Sequence, residues 1–501
     1  DALRQCAARR AGLVQQIGSG FGRAQVGTQQ RAAAAQGFDL GLQRAGRVGR
    51  MPVVRQHVPA GTREGQADLA PEPARRAGDQ HGARWGGAKS IGHGPHCGKS
   101  APRAAARMAD NSSVSHTAAP HAASVELAAH IAGAIQAAGG WLPFDRFMQL
   151  ALYAPGLGYY AHGSRKFGQL ARDGSDFVTA PELSPLFGQT LATAVAEALQ
   201  HTGTDEVWEF GAGSGALAEQ VLGELAQRGQ APRRYTIVDV SGALRARQQQ
   251  RLAAHGAIVQ WADTLPEAMT GVVLGNEVLD AMPVKLLARV DGTWLERGVI
   301  FKPNRPVAPD GQAQTAINSE AFAWSDRATA LRPPLAIEGG HDCVTEIHPQ
   351  AEAFVRTVAE RLARGGRGAA FFIDYGFPEA EYYHPQRHMG TLACHRAHRM
   401  DDAPLADVGE KDITAHVNFT GIALAAQDAG LSVLGYTSQG RFLLNNGLAE
   451  RMAALPIIER APAMKLLAEH EMGELFKVIG LAVGEGWAAQ GFAAGDRTHR
   501  L

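Results

Sequence analysis

The chain has 501 residues, room for two or three domains of roughly 100–200 residues each, and its 45% hydrophobic and 20% charged residues suit a globular protein with a sizeable core. Its zero net charge is unevenly placed: residues 1–107 hold 17 Lys and Arg against 6 Asp and Glu, which leaves residues 108–501 acidic by the same margin and argues against holding bare nucleic acid by bulk charge. No run of about 20 apolar residues is present to cross a membrane, and four cysteines (Cys6, Cys97, Cys343, Cys394) without CxxC spacing argue against a disulfide framework or a zinc site and for a reducing compartment.

Residues 1–107 are rich in Ala, Gly, Arg and Gln and lack apolar periodicity. They offer too little apolar surface to offset ordering entropy, so disorder is expected, extending to about residue 123. Met108 opens a polar lead-in, MADNSSVSHTAAPHAAS. The preferred reading makes Met108 the start and residues 1–107 translated upstream sequence. An Arg-rich organelle transit peptide is a weaker fit, because the stretch is too long and Gly-rich for one amphipathic helix. A basic nucleic-acid tail fits poorly too, since its basic residues are scattered.

From residue 124 the pattern becomes regular. SVELAAHIAGAIQAAGG predicts a helix ended by Gly139-Gly140, WLPFDRFMQLALYAPGLGYY a second helix, and the stretch from about Ser184 a long amphipathic third. After Asp205, apolar runs alternate with helices: strand VWEF, loop GAGSG, helix ALAEQVLGELAQR, strand RYTIVDV, helix GALRARQQQRLAAH, strand AIVQW and strand GVVLGN. Such alternation implies a parallel sheet covered on both faces. KLLARVDGTWLERGVIF predicts a β-hairpin turning at Asp291-Gly292; it either covers a site or builds a homodimer. Residues 303–340 are weakly patterned and read as part of an insertion. Helix HPQAEAFVRTVAERLARGG and strand GAAFFIDYG follow, then helix FTGIALAAQDAG, strand LSVLGYTS, helices to about 470 and a last strand LFKVIGLAVG.

The chemistry gathers at the strand ends. Gly211, Gly213 and Gly215 lie between a strand and a helix, where glycine permits a tight turn and close approach of backbone to a ligand. Gly211, Gly213 and Ala216 also satisfy the dinucleotide pattern G-x-G-x-x-A. Glu209 before the loop tilts the reading toward S-adenosylmethionine, because a carboxylate suits that ligand's cationic end and repels a pyrophosphate. Asp239, after the second strand, is placed to accept ribose hydroxyls, and Asp263, after the third, to lie at the adenine edge. A dehydrogenase would share the acidic residue after strand two, so Asp239 alone decides nothing. Beyond the fourth strand, Asn276, Glu277 and Asp280 are placed to hold a nucleophile in line with a methyl group. An arginine nucleophile needs a carboxylate to hold its planar guanidinium in two bonds, and Glu277 is the natural candidate. Asp280 as a turn cap and Asn276 as a loop brace are the plainer alternatives.

The strings ALYAPGLGYY, DFVTAPELSPLFGQTLA, WEFGAGSGALAEQVL, IVDVSGALRARQ, GNEVLDAMPVKLL, GGRGAAFFIDYG, GTLACHRAHR, DITAHVNFT and TSQGRFLLNNG together resemble the MidA family of S-adenosylmethionine-dependent methyltransferases, over about residues 124–485. The resemblance implies an α/β fold: a class I, Rossmann-like methyltransferase core with a mostly parallel seven-stranded sheet. It also implies a helical substrate-side module at 124–204, a core at 205–485 with an insertion at about 285–340, and a flexible tail at 486–501. Carried across, the donor positions are Glu209, Gly211, Gly213, Gly215, Asp239 and Asp263, and the acceptor positions Asn276, Glu277 and Asp280. Ala212 stands where the family has proline, and Asp239 where it usually has Glu. The implied cofactor is S-adenosylmethionine and the implied partner a protein substrate, with arginine on a respiratory-complex subunit the leading candidate. The implied location is the cytoplasm of a bacterium or the mitochondrial matrix of a eukaryote. The rival reading is a non-catalytic assembly factor that uses S-adenosylmethionine as a structural ligand; a nicotinamide-dependent dehydrogenase is a third. His395, His398 and His416 match no metal spacing and read as pocket-shaping or hydrogen-bonded groups. Tyr153, Tyr159 and Tyr160 either wall the cleft or pack with a polar tip.

Overall fold

The computed structural model describes residues 122–161, 178–239, 242–302 and 321–501. All belong to one of the two units into which the chain divides, Asp1–Gly37 with Ala119–Leu501. The other unit, Phe38–Ala118, lies outside the described residues, as do the expectations placed on residues 1–107.

Helix α1, Ala122–Ala137, buries Leu127, Ile131 and Ile135 at intervals of four, one stripe of a helix. Gly139 and Gly140 end the segment with φ of 77° and 88°. A two-residue strand, β1 (Leu142–Pro143), leads into α2 (Phe144–Tyr153), which buries Phe144, Phe147, Met148 and Leu152. A short helix at Ala180–Leu183 precedes α3 (Leu186–Thr202).

The central sheet follows from the apolar runs. In chain order come β2 (Glu206–Phe210), α4 (Ala216–Gln227), β3 (Arg234–Val238), α5 (Gly242–Arg251), β4 (Val259–Ala262) and β5 (Gly271–Asn276). Four strands of a second sheet follow, β6 (Lys285–Val290), β7 (Thr293–Phe301), β8 (Phe322–Ala328) and β9 (Cys343–Ile347). The chain then returns through α6 (Pro349–Gly365) and β10 (Gly368–Phe377). It closes with β11 (Ala393–Arg396), β12 (Arg399–Asp401), β13 (Asp412–Thr414), β14 (Val417–Asn418), α7 (Phe419–Asp428), β15 (Leu431–Ser438) and β16 (Phe476–Val483).

The strand order is β15-β16-β10-β5-β2-β3-β4, with β14 added on β10. From β4 to β10 all neighbours are parallel, whereas β16 runs antiparallel to both β10 and β15. This is the expected seven-stranded, mostly parallel sheet. Residues of β2 alternate between its two faces: Val207 packs with Leu191 and Val195 of α3 and Leu217 and Val221 of α4. Trp208 and Phe210 pack with Phe354 and Val358 of α6 and Ile422 of α7. Because β2 has β3 on one side and β5 on the other, the winding reverses there, and a crevice opens at the carboxyl ends of β2 and β5.

The second sheet has the order β1-β7-β6-β9, with β8 on β7. Asp291 and Gly292 both take positive φ, 48° and 75°, as a type I′ hairpin turn requires. Both strands of this hairpin are flanked by further strands, so it is the middle of a sheet and not an open edge. Two expectations change here. The weakly patterned stretch 303–340 contains β8, and the region 285–340, expected as an insertion, packs into a core. Leu286, Val299 and Phe322 share one core with Leu127, Ile131 and Phe147 of the N-terminal helices. Helix α3 joins the central sheet instead, so the stretch 124–204 divides between two cores.

The predicted flexible tail is packed as well. Phe492 is buried, and a Cβ on Gly435 would lie 2.2 Å from its ring. Arg497 pairs with Glu474 and its backbone N–H donates to the Tyr436 carbonyl at 2.6 Å. A single aromatic anchor at position 492 gives no periodicity from which that packing can be read.

Candidate active site

The glycine loop sits where β2 enters the crevice. Gly211, Gly213 and Gly215 all have positive φ (63°, 54° and 83°), a region that side chains bearing a Cβ rarely adopt. A Cβ on Gly211 would also lie 3.0 Å from Cγ2 of Val278. The loop is therefore a bare backbone cradle at the N-terminus of α4, and it fits a ligand that must approach closely.

Glu209 is 2% exposed, and its Oε2 accepts from the Tyr235 hydroxyl at 2.6 Å. Burial pushes its pKa up to about 7, against the Tyr235 bond, and the neighbouring Asp239 raises it further. Asp239 accepts from Gln248 Nε2 at 2.8 Å, and the same amide nitrogen donates to the Gly213 carbonyl at 3.0 Å. Gln248 Oε1 in turn accepts from Trp261 Nε1 at 2.9 Å. One wholly buried glutamine of α5 thus ties the loops after β2 and β3 to strand β4. Sequence reasoning missed it, since Gln248 begins a polar Gln-Gln-Gln run with no sign of burial. Asp263 lies just past β4 with an exposed side chain and pairs with Arg245.

Across the crevice, β5 ends in Asn276. Glu277 follows with φ of 52°, a left-handed backbone in a residue that has a Cβ. Its N–H donates to the Ile373 carbonyl at 2.9 Å, and Asn276 Nδ2 donates to Glu277 Oε1 at 3.1 Å. The strained turn has a visible cause. Asp374, within β10, accepts the backbone N–H groups of Val278, Leu279 and Asp280 on one oxygen, at 3.1, 2.8 and 3.3 Å. A buried carboxylate thereby winds the post-β5 loop around itself, and Asp374 builds the site from inside a strand whose sequence reads only as core.

The electrostatics are one-sided. Burial, then Asp280, push Glu277 up to about 8, against the bonds from Asn276 and the Ala180 N–H. Burial, then Asp374 and Asp412, hold Asp280 well above the usual carboxylate range. Asp374 rises to about 7 through burial and Glu277, although three N–H groups stabilise its charge. Asp280 Oδ1 and Asn276 Oδ1 are buried without a hydrogen-bond partner among the described residues. The Asp280 carboxylate also takes backbone N–H groups, its own and that of Ala281, so it braces the turn while Oδ1 stays open.

Three tyrosines brace this face. Tyr159 is fully buried. Tyr153 donates to the Ala281 carbonyl at 2.9 Å and stacks on Tyr160, which donates to Asp412 Oδ2 at 2.8 Å. Of the histidines, His416 stacks on Tyr375 with an interplanar angle of 10°, and burial lowers its pKa to about 4. His395 lies in β11 and His398 takes φ of 58° beyond it. Among the described residues no group of His, Cys, Asp and Glu could hold a metal, and no helix is long and apolar enough to cross a membrane.

Residues 190–437 match the family model described as "Putative S-adenosyl-L-methionine-dependent methyltransferase". A crystal structure from Burkholderia thailandensis bound to S-adenosyl-homocysteine is 50% identical, covers 76% of this chain and 97% of its own, and superposes with a TM-score of 0.70. A native structure from the same organism gives 48% identity, the same coverages and a TM-score of 0.67. The protein arginine methyltransferase NDUFAF7 of Danio rerio, a mitochondrial protein, is 26% identical over 70% of this chain and 85% of its own length. Its Drosophila melanogaster homologue is 28% identical over 69% and 82%.

Proposed function

The chain belongs to the MidA family of S-adenosyl-L-methionine-dependent methyltransferases, and from that premise we propose that it methylates the guanidinium of an arginine in a protein client. S-adenosyl-L-methionine, when bound, supplies an electrophilic methyl group on a sulfonium. The glycine loop at Gly211, Gly213 and Gly215 gives the donor a cradle free of side chains. Glu209 and Asp239 offer negative charge beneath it, and Asp263 marks its outer edge. Because displacement at a methyl group needs no covalent help, the chain's own work is positioning and electrostatics.

The observation that carries the arginine reading is the unbalanced acidic face. Among the described residues no lysine or arginine forms an ion pair with Glu277, Asp280 or Asp374, and the groups that act most on them are other carboxylates and neutral donors. Lys477, the cross-strand partner of Asp374, is turned to the Glu474 and Leu475 carbonyls instead. A planar cation brought beside Glu277 would relieve that repulsion and be held in two bonds. It would also draw the Glu277 proton off, leaving the carboxylate charged as the methyl group arrives. Asn276 orients the Glu277 carboxylate, and Asp280 supplies a second acceptor. A neutral acceptor has no such reason to enter a site of this sign. The names of the mitochondrial relatives point the same way, and a respiratory-complex subunit is the client to try first, in the cytoplasm of a bacterium or the matrix of a mitochondrion.

Labelling tests this. Purified protein is incubated with methyl-labelled S-adenosyl-L-methionine and cell extract, and labelled polypeptides are identified by mass spectrometry. Label on arginine of a discrete protein is expected. Label confined to another residue type would overturn the acceptor assignment, and no transfer to any polypeptide would favour the non-catalytic reading.

A further inference from the structure

One short segment touches both halves of the crevice. In the helix Ala180–Leu183, three consecutive residues face three different partners. The Ala180 N–H faces the Glu277 carboxylate on the acceptor side. The Pro181 carbonyl accepts from Gln220 Nε2 of α4 at 2.8 Å, and Gln220 Oε1 accepts from the Gly188 N–H at 3.0 Å. The Glu182 carboxylate accepts from the Ser214 hydroxyl, inside the glycine loop, and from Arg251 Nη1 at 3.2 Å. Arg251 also donates to Ser214 Oγ, so serine, glutamate and arginine close a ring. Ala180 and Pro181 are themselves buried. A segment gripped at both ends and packed in between moves as a piece.

We infer that Glu182 is a positioning residue: by gripping Ser214 it registers the Ala180–Leu183 segment against the glycine loop, and so sets where the Ala180 N–H meets Glu277. The inference rests on the reading of Glu277 as the acceptor-side carboxylate. A change in the loop when the donor site fills is then passed to Glu277 through three residues. A carboxylate that gains an N–H donor keeps its charge more readily. By reciprocity, the state of Glu277 must act on donor affinity by the same factor. The other groups that face Glu277 are Asn276, Asp280, Asp374, Asp412 and Tyr375. They are unchanged in every variant below, so their part cancels.

The test is a double-mutant cycle read by calorimetry, with S-adenosylhomocysteine as the probe at pH 8.5. The dissociation constant is measured for the wild type and for Glu277→Gln, then for the same pair carrying Glu182→Ala. The Glu277→Gln change is expected to weaken binding by about fivefold in the wild-type background, the low end of typical coupling between sites. With Glu182→Ala that factor should fall below about twofold. Ser214→Ala cuts the same link while sparing the Arg251–Glu182 pair, and should give the same collapse if Glu182→Ala folds poorly. Glu182→Gln keeps an acceptor oxygen for Ser214 and should restore most of the factor. An equal factor in all backgrounds, or none in the wild type, would overturn the inference. No acceptor is used, so the cycle succeeds or fails independently of whether arginine is the substrate.

Discussion

Replacing Glu277 by Gln should make the protein more stable and less active at once. In the folded chain this carboxyl titrates at about 8, against 4.5 for the ordinary group. The folded pKa is raised, so its contribution is intact below about pH 4.5 and is lost as pH rises toward 8. At about 1.4 kcal/mol per unit, the full loss would be on the order of 5 kcal/mol. Part of the side chain still meets solvent, which screens the charge and brings the figure to about 2–3 kcal/mol. The amide keeps the size of the side chain and an acceptor for Asn276, but has no charge to bury. The two proteins should therefore unfold alike near pH 4.5 and diverge by pH 8.5, with the mutant the more stable. Chemical denaturation across that range measures it; Glu209 cancels in the difference between the curves, whereas Asp374, which Glu277 itself pushes up, is relieved in the mutant and adds to the gap at high pH. The catalytic cost runs the other way. Losing a comparable electrostatic contact slows known enzymes by about 10²–10³, which is the drop expected in single-turnover methylation of the client found by labelling. Parallel stability curves would show that Glu277 is not a buried, charge-strained group. Full activity in the mutant would remove it from the mechanism.

Four further outcomes are expected. For the wild type, log kcat/KM should rise with pH and level off above about 8, where Glu277 is ionised; a profile flat from pH 6 to 9 would contradict this. Gly213→Val places a β-branched residue at φ of 54° in the donor cradle, so calorimetry should find S-adenosylhomocysteine binding abolished and the fold largely kept. Tyr235→Phe removes the hydroxyl that holds Glu209; it should cost about 1–3 kcal/mol and weaken donor binding more at pH 6 than at pH 8.5, because Glu209 then takes its proton at a higher pH. Phe492→Ala should cost about 3–5 kcal/mol in denaturant titration, whereas a cost near zero would mean the tail is loose after all.

What was legible in the sequence was what repeats or stands alone chemically. Apolar runs such as Val272–Leu274 and the spacing of Leu127, Ile131 and Ile135 report burial through period, and the central sheet followed from them. The Asp291-Gly292 turn was legible because few residue pairs tolerate two positive φ values. Short strands were not. β8 and the three-stranded set β12-β11-β13 are only three to seven residues long, and the turn that joins β11 to β12 is Ala397-His398, a pair that does not advertise its two positive φ values. In the site, glycines and carboxylates at strand ends could be named from residue type. The φ of Glu277 could not, because it is imposed by Asp374 roughly a hundred positions later. Gln248 and Glu182 were invisible for a related reason: each looks like a surface residue until the loops it joins are in place.

The core shared by the N-terminal helices and the second sheet also bears on how the chain is made. Phe144 and Phe147 are fully buried, yet they are covered in part by Val299, Phe322, Ile413 and Ala415. During synthesis at roughly 5–20 residues per second, these aromatic rings leave the ribosome on the order of ten seconds to a minute before their last partners exist. Over that interval the segment is a sticky amphipathic fragment with nothing to fold against, an obvious client for a chaperone. A weakened core there, for example by Ile413→Ala, should therefore reduce the yield of folded protein in the cell more than its effect on the finished molecule's stability alone would suggest.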